Sequence, residues 1–388
     1  MYIKRVDTIL AIGTRAMKTF YKYCLLVCFI CVTLLLLLFP KPVKKIPIIE
    51  SEEAFRRSAI KKLSIVENND INNNISNNDN NLTGINSTNN QNNNDGENAN
   101  KSIPICKNCT VVKPKRGLKP CPAPVYVLLT INSKAEHFHR RLSIRQTWGN
   151  SSYFTLRSPK KGNAWRTVFV VSLSLNATIR KLVEKEAKLY GDIVLTDIVE
   201  HVKNLTRKTL FGMTWAAKYC KPVFIYKGDD DVFVNAPKLY HYLASMGNKA
   251  QKFFVGRLAE RTALKPCRLK THKYYVSYDD YKGETFPPFV SGFAYVLSFD
   301  VLSQMLDVAP HVKILQSIDD VYIGILASKI KVRPRNHPGF HVYYPYLRPN
   351  HRFSRYEVGR RFAEHGIVKV GLMKQMYQMA LQMAPRIV

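Results

Sequence analysis

A chain of 388 residues with 46% hydrophobic content is long enough to bury one large or two ordinary cores, which excludes a wholly disordered protein. Its 59 Lys+Arg against 28 Asp+Glu give a formal net charge of +31. That balance calls for an anionic partner but does not choose among nucleic acid, anionic glycans, phosphorylated ligands and a membrane surface.

The first element is "YCLLVCFICVTLLLLLF", Tyr23 to Phe39, an uncharged run close to the roughly 20 residues of a membrane-spanning helix. Lys4, Arg5, Arg15, Lys18 and Lys22 precede it against Asp7 alone, so the positive-inside tendency places the N-terminus in the cytosol. A cleaved signal peptide is the rival, but no small-residue cleavage site follows the run. The spacing predicts a cytosolic tail over residues 1–22 and an uncleaved signal-anchor over 23–40. A luminal stem then covers 41–103 and a folded domain 104–388. The stem carries 17 Asn between residues 68 and 100 with almost no large apolar groups, a composition that cannot offset the cost of ordering.

N-x-[ST] sequons stand at Asn74, Asn81, Asn86, Asn108, Asn150, Asn176 and Asn204, in keeping with a secretory location. Beyond the anchor lie Cys106, Cys109, Cys121, Cys220 and Cys267, an odd number in an oxidising compartment. "CKNC" at Cys106 reads either as a metal or redox pair or as part of a disulfide in the stem.

From residue 104 onward, short apolar runs alternate with helix-like patterns, which predicts an α/β domain around a largely parallel sheet. The strand runs are "VYVLLTI", "RTVFVVSLS", "DIVLTDI", "PVFIYKG", "KFFVGRL" and "FAYVLSF"; the helical ones are "HFHRRLSIRQTWG", "TIRKLVEKEAKLYG" and "NLTRKTLFGMTWAAKYC". Ligands of such sheets gather at the C-terminal ends of strands, and Asp229, Asp230 and Asp231 stand where "PVFIYKG" ends. In an extended segment Asp229 and Asp231 share a face, an oxygen pair that suits Mg2+ or Mn2+ held jointly with nucleotide phosphates. An acidic turn satisfied by its own backbone explains a lone D-x-D equally well. Asp319 and Asp320 open a helical run, either as dipole-matched acids at a helix start or as the seat of a general base. Arg140, Arg141 and Arg145 either contact a pyrophosphate or form a solvated helix face.

In order along the chain, "RRLSIRQTWG", "EKEAKLYGDIVLTD", "NLTRKT", a Trp-to-Cys pair, "KGDDDVFVN", "FPPFVSGFAYVLS" and "DDVYIG" resemble the β1,3-glycosyltransferases of glycosyltransferase family 31. The resemblance covers about residues 124–330. It implies a GT-A fold, a Rossmann-like mixed sheet, on a single-pass type II Golgi membrane protein that uses a UDP-sugar donor and Mn2+. It assigns the metal to Asp231, with Asp229 in support and His365 completing the coordination. Asp230 and Asp229 face the donor ribose, Ser133, Arg141 and Arg145 line the nucleotide pocket, and Asp320 holds the place of the catalytic base.

The reaction so implied is inverting transfer of a hexose to an acceptor hydroxyl on a glycoprotein or glycolipid. "FPPFVSG" resembles the galactosyl branch and "SIDDVYIG" the N-acetylglucosaminyl branch. Three departures from the family pattern, Ala294 in "SGFAYVLS", Val202 in "EHVKNLT" and the glycine-free "FVVSLS", keep a non-catalytic Golgi glycan-binding protein as the alternative. Nucleic acid is not an expected partner.

Overall fold

The computed structural model describes residues 121, 125–157, 164–247 and 250–384. The tail, the anchor, the Asn-rich stem, "CKNC" and the sequons at Asn74, Asn81, Asn86 and Asn108 lie outside the described residues. Among the described residues no helix is long and apolar enough to cross a membrane.

The first half of the domain alternates strands and helices. Strand β1 (Val127–Ser133) is followed by helices α1 (Phe138–Arg145) and α2 (Ser152–Arg157). Then come β2 (Trp165–Leu173), α3 (Ala177–Tyr190), β3 (Ile193–Val199), α4 (Leu205–Tyr219) and β4 (Phe224–Asp229). Local chemistry sets several boundaries: the Asn176 side chain accepts from the N–H groups of Thr178 and Ile179 to start α3, and Gly191 ends it at φ +64°, a left-handed stop that suits glycine.

The second half is less regular. It contains β5 (Val232–Val234), α5 (Ala236–Ala244), β6 (Phe254–Leu258), β7 (Val290–Ser298), α6 (Phe299–Val308) and α7 (Asp319–Lys329). The chain closes with β8 (Arg335–Asn336), β9 (Phe340–Val342), α8 (Arg355–Arg360), β10 (Ala363–His365) and α9 (Val370–Gln382).

Seven strands form one sheet in the order β3-β2-β1-β4-β7-β6-β8. The pairs from β3 to β4 are parallel, β7 runs antiparallel to both β4 and β6, and β8 is parallel to β6. The sheet is therefore mixed rather than simply parallel. Both faces are covered, which is why every residue of β1 is buried and its first half, Val127 to Leu129, is wholly apolar. Val127, Leu129 and Ile131 join one apolar cluster with Trp148, Phe233 and Met376, whereas Leu128 joins the other with Leu210, Leu302 and Leu326. A disulfide between Cys121 and Cys220 ties the segment before β1 to the end of α4; Cys267 has no disulfide partner among the described residues.

A second, three-stranded sheet, β5-β10-β9, was not anticipated from the sequence. Its register sets His365 opposite Val232 and Ala363 opposite Val234, so the chain just past the acidic stretch is clamped to residues more than a hundred positions downstream.

The departures fall at two different kinds of position: Ala294 is fully buried and faces Gly228 across the β4–β7 ladder, and Val202 is about half exposed. A tighter constraint is Gly324 on α7. A Cβ there would stand 2.4 Å from Cβ of Phe289 and 3.1 Å from the Pro288 carbonyl oxygen, so α7 lies against the segment entering β7 at backbone distance. Gly324→Ala is expected to cost about 1–3 kcal/mol through overpacking, read as a lower urea midpoint; an unchanged midpoint would show that α7 can move away.

Candidate active site

The C-terminal ends of β1 and β4 and the N-terminal end of β7 share one edge of the sheet, where β4 stops at Asp229 and a turn through Asp230 and Asp231 leads into β5. Each of the three carboxylates has positive groups beside it, and Arg140 is shared between Asp230 and Asp231. Asp230 is buried and accepts from His137 Nδ1 and Arg140 NH1, both at 2.8 Å. Burial alone would raise its pKa, but the His137 hydrogen bond and the charges of His137 and Arg140 prevail, holding it down to about 2. His137 stands at the N-cap of α1 yet makes no capping bond to its own helix, because its ring is turned to Asp230.

Asp229 lies 3.3 Å from Lys227 Nζ, a buried ammonium that also reaches Asp319 Oδ2 at 3.1 Å and donates to the Gly292 carbonyl at 2.5 Å. Burial works against that charge, but Asp229 and Asp319 outweigh it and raise the Lys227 pKa. The Asp229 carboxyl is itself pushed up, first by burial and then by Asp231 and Asp319, with Lys227 opposing. Asp231 approaches Arg140 NH1 at 3.8 Å and His365 Nε2 at 3.5 Å. Its Oδ1 atom is buried and has no hydrogen-bond partner.

On the β7 side, Asp320 lies in the first turn of α7 and accepts from the N–H groups of Val321 at 2.9 Å and Gly292 at 3.3 Å. Burial, then the adjacent Asp319, raises its pKa to about 6. Asp319 is anchored by Thr209 Oγ1 at 2.7 Å, which in turn accepts from Asn132 Nδ2 at 3.0 Å. A Cβ on Gly292 would come within 3.2 Å of Asp319 Oδ1 and 3.3 Å of Asp320 Cβ. The absence of a side chain at position 292 thus eases the close approach of the α7 start to β7.

Of the sequence-predicted residues, Asp229, Asp230, Asp231 and His365 therefore meet around one turn, and Asp320 lies beside the neighbouring strand. Arg141 and Arg145 require correction. Arg141 is fully buried and its guanidinium is spent on the protein: Nε and NH2 on Glu186, NH1 on Ser133 Oγ and the Lys134 carbonyl, NH2 also on the Ala135 carbonyl. Arg145 is bidentate to Asp192 and also bonds Glu186 at 2.6 Å. With these donors already engaged, the pair fixes α1 against α3 and the turn into β3 instead of presenting guanidinium groups to a phosphate. Ser133 belongs to the same buried network as the acceptor for Arg141.

Sequence reasoning passed over Lys227, His137, Thr209 and Lys208. Lys208 donates to the Ser133 carbonyl and to Glu200, both at 2.8 Å, and burial lowers its pKa against the pull of Glu200. A lysine next to three aspartates inside an apolar strand was the available signal for Lys227.

No group of three or more His, Cys, Asp or Glu side chains that could hold a metal ion is formed among the described residues. The donor set that does exist is one carboxylate with an unpartnered buried oxygen facing one imidazole, Asp231 and His365. Such a pair fits a divalent cation whose other positions are filled by phosphate oxygens and water.

A Galactosyltransferase family model matches residues 139–338. Among known proteins the chain is 35% identical over 225 residues to the lactosylceramide 1,3-N-acetyl-beta-D-glucosaminyltransferase of Xenopus tropicalis, covering 57% of each. It is 36% identical over 222 residues to the Homo sapiens protein of that name, covering 56% of this chain and 57% of the relative. It is 30% identical over 217 residues to beta-1,3-galactosyltransferase 1 of Mus musculus, covering 55% of this chain and 64% of the relative. The chain thus spans less than two thirds of the length of these curated relatives. Solved structures align loosely: the bifunctional glycosyltransferase WbbM has a TM-score of 0.34 at 11% identity over 66% of this chain and 50% of its own. An active-site mutant of LgtC has 0.32 at 10%, over 66% and 95%.

The network around Arg141 makes a testable claim. Arg141→Met should destabilise the fold by about 3–5 kcal/mol, the cost of breaking a buried ion pair from one side, measured by urea unfolding, while UDP affinity of the folded protein changes less than about threefold. Intact stability with lost UDP affinity would return Arg141 to the nucleotide.

Proposed function

The chain belongs to the galactosyltransferase family, and from that premise we propose that it is an inverting, UDP-sugar-dependent β1,3-glycosyltransferase of GT-A fold. The observation that carries this reading is the separation of roles at one sheet edge. Asp230 is held ionised by His137 and Arg140, Asp231 keeps an unpartnered oxygen toward His365, and Asp320 is pushed up to about 6. Carboxyls whose environments push their pKa values apart are suited to different tasks.

In this reading Asp231 and His365 would hold Mn2+, with Asp229 beside them. When bound, the cation neutralises the charge that develops on the departing UDP. Asp320 acts as general base. It takes the proton of an acceptor hydroxyl as that oxygen attacks the anomeric carbon and the bond from that carbon to the UDP oxygen breaks. A single displacement converts an α-linked donor into a β-linked product. The N–H groups of Val321 and Gly292 hold the Asp320 carboxylate in place, so the base is oriented before the acceptor arrives. Lys227 and Thr209 fix Asp319 and thereby the first turn of α7.

Galactose is the proposed hexose, from "FPPFVSG"; the resemblance of "SIDDVYIG" and the two N-acetylglucosaminyltransferase relatives support N-acetylglucosamine as the second reading. A type II placement in the Golgi membrane is part of the proposal and rests on the apolar run at Tyr23–Phe39 with its preceding lysines and arginines.

A donor screen with UDP-galactose and UDP-N-acetylglucosamine, in Mn2+ or EDTA, tests the proposal. We expect transfer to β-galactoside or N-acetylglucosaminide acceptors, abolished by EDTA. Asp320→Asn should lower turnover at least about a hundredfold with UDP binding retained; full activity in this variant would remove Asp320 from the chemistry. Because the base acts ionised and its pKa is raised, the rate should fall about tenfold per pH unit below pH about 6 and level off above it. A rate flat from about pH 4.5 to about 7.5 would contradict that role.

A further inference from the structure

Beside the acid site lies a cleft of about 660 Å3 with the opposite electrostatic character. Lys238, Arg257, Arg360 and Arg361 line it against a single carboxylate, Glu260, with His337 and His341 completing the polar wall. None of Asp229, Asp230, Asp231, Asp319, Asp320 or His365 lines it.

Two of these cations are accounted for by the protein. Arg361 is bonded at 2.7 Å to Glu364, which is fully buried and also meets His341 Nδ1 at 2.7 Å. Arg257 has a loose 3.6 Å contact with the largely exposed Glu260. Lys238 and Arg360 pair with no carboxylate among the described residues: Lys238 donates to the Gly359 carbonyl and Arg360 to the Tyr356 hydroxyl. Burial and the charge of Arg360 lower the Lys238 pKa, and burial and Lys238 in turn lower that of His337. Like charges gathered without counterions destabilise the fold that gathers them, so their arrangement calls for an anion from outside.

The cleft is placed to serve the acid site. Leu258, on its wall, pairs with Val290 of β7, two residues before the Gly292 whose N–H holds Asp320. That is about 7 Å along the strand. On its other wall, His341 pairs in register with Glu364, the neighbour of His365. A molecule bridging cleft and acid site would present one end to Arg257, Lys238 and Arg360 and the other to Asp320.

We propose that this cleft binds an oxyanion carried by the saccharide acceptor, so that the chain acts on anionic rather than neutral glycans. The inference rests on the reading of Asp320 as the base facing the acceptor. Sulfate, carboxylate and phosphate share the chemistry that guanidinium and ammonium groups recognise, through charge-assisted and often bidentate hydrogen bonds. A neutral acceptor leaves Lys238 and Arg360 without a counterion.

The test titrates the full chain by calorimetry with tetrasaccharides of one length and linkage that are neutral, sulfated, carboxylated or phosphorylated, with UDP binding in Mn2+ measured in parallel. At least one charged form should bind about tenfold or more tightly than the neutral one, with the advantage shrinking between about 50 and about 300 mM salt. The double variant Arg257→Ala/Arg360→Ala should bind charged and neutral forms alike while keeping its UDP affinity. If it does not fold, Arg360→Ala alone, at an exposed position, should still reduce the preference severalfold.

Equal binding of charged and neutral saccharides by the native chain overturns the proposal. So does a preference that survives both substitutions, or competition by free inorganic sulfate at the saccharide's own concentration. A charged-glycan preference in a chain that does not bind UDP would keep the cleft and discard the transferase reading; UDP-dependent transfer without charge preference would do the reverse.

Discussion

Three consecutive carboxylates at the end of a buried strand are the constraint around which this molecule is arranged. Side by side and partly desolvated, they repel one another unless cations are built in beside them. Lys227 supplies one from inside β4, and His137 and Arg140 supply the other from the start of α1. Lys227 cannot serve Asp229 without also drawing in Asp319 and the Gly292 carbonyl. The neutralising ammonium therefore joins β4, β7 and the first turn of α7, and the position of Asp320 follows from it.

The dependence runs backward through the chain as well. α1 presents His137 and Arg140 only because Arg141 and Arg145, on the same helix, are locked onto Glu186 of α3 and Asp192 at the entry to β3. A buried charge network of this kind is weak evidence for stability but good evidence for a fixed geometry. Here it sets the orientation of one helix so that two of its side chains can hold Asp230. The turn pinned at Asp230 then delivers Asp231 to β5, and the short antiparallel ladder with β10 brings His365 to it.

The large elements were legible in the sequence because hydrophobic runs of strand length and helical periodicity survive in any context. All six apolar runs from "VYVLLTI" to "FAYVLSF" became strands of the main sheet. The second sheet was not legible: β5, β9 and β10 have three residues each, too few for alternation, and exist only through pairing across the chain. The same limit governs the site. Asp229, Asp230, Asp231 and Asp320 stand out as acids at strand ends and helix starts, but nothing local tells an arginine spent on Glu186 from one free to meet a phosphate. Arg141 was misread for that reason, and Lys227 was passed over because a strand interior is where an ammonium is least expected.

The formal charge of +31 acquires a different meaning once its cations are placed. Arg141, Arg145, Lys208 and Lys227 are internal counterions to Glu186, Asp192, Glu200, Asp229 and Asp319, and they contribute little to the field outside. Lys238 and Arg360 have no such carboxylate among the described residues and Arg257 has only a loose contact with Glu260, and all three line the cleft whose wall reaches β7 through Leu258. Opposite potentials a few residues apart, beside low-dielectric protein, form a directional field. An acceptor with an anion at one end and a hydroxyl at the other would enter such a field in one orientation only, with the hydroxyl toward Asp320. The arrangement that would favour this orientation is electrostatic, with the cleft's Lys238 and Arg360 at one end and the carboxyl of Asp320 at the other.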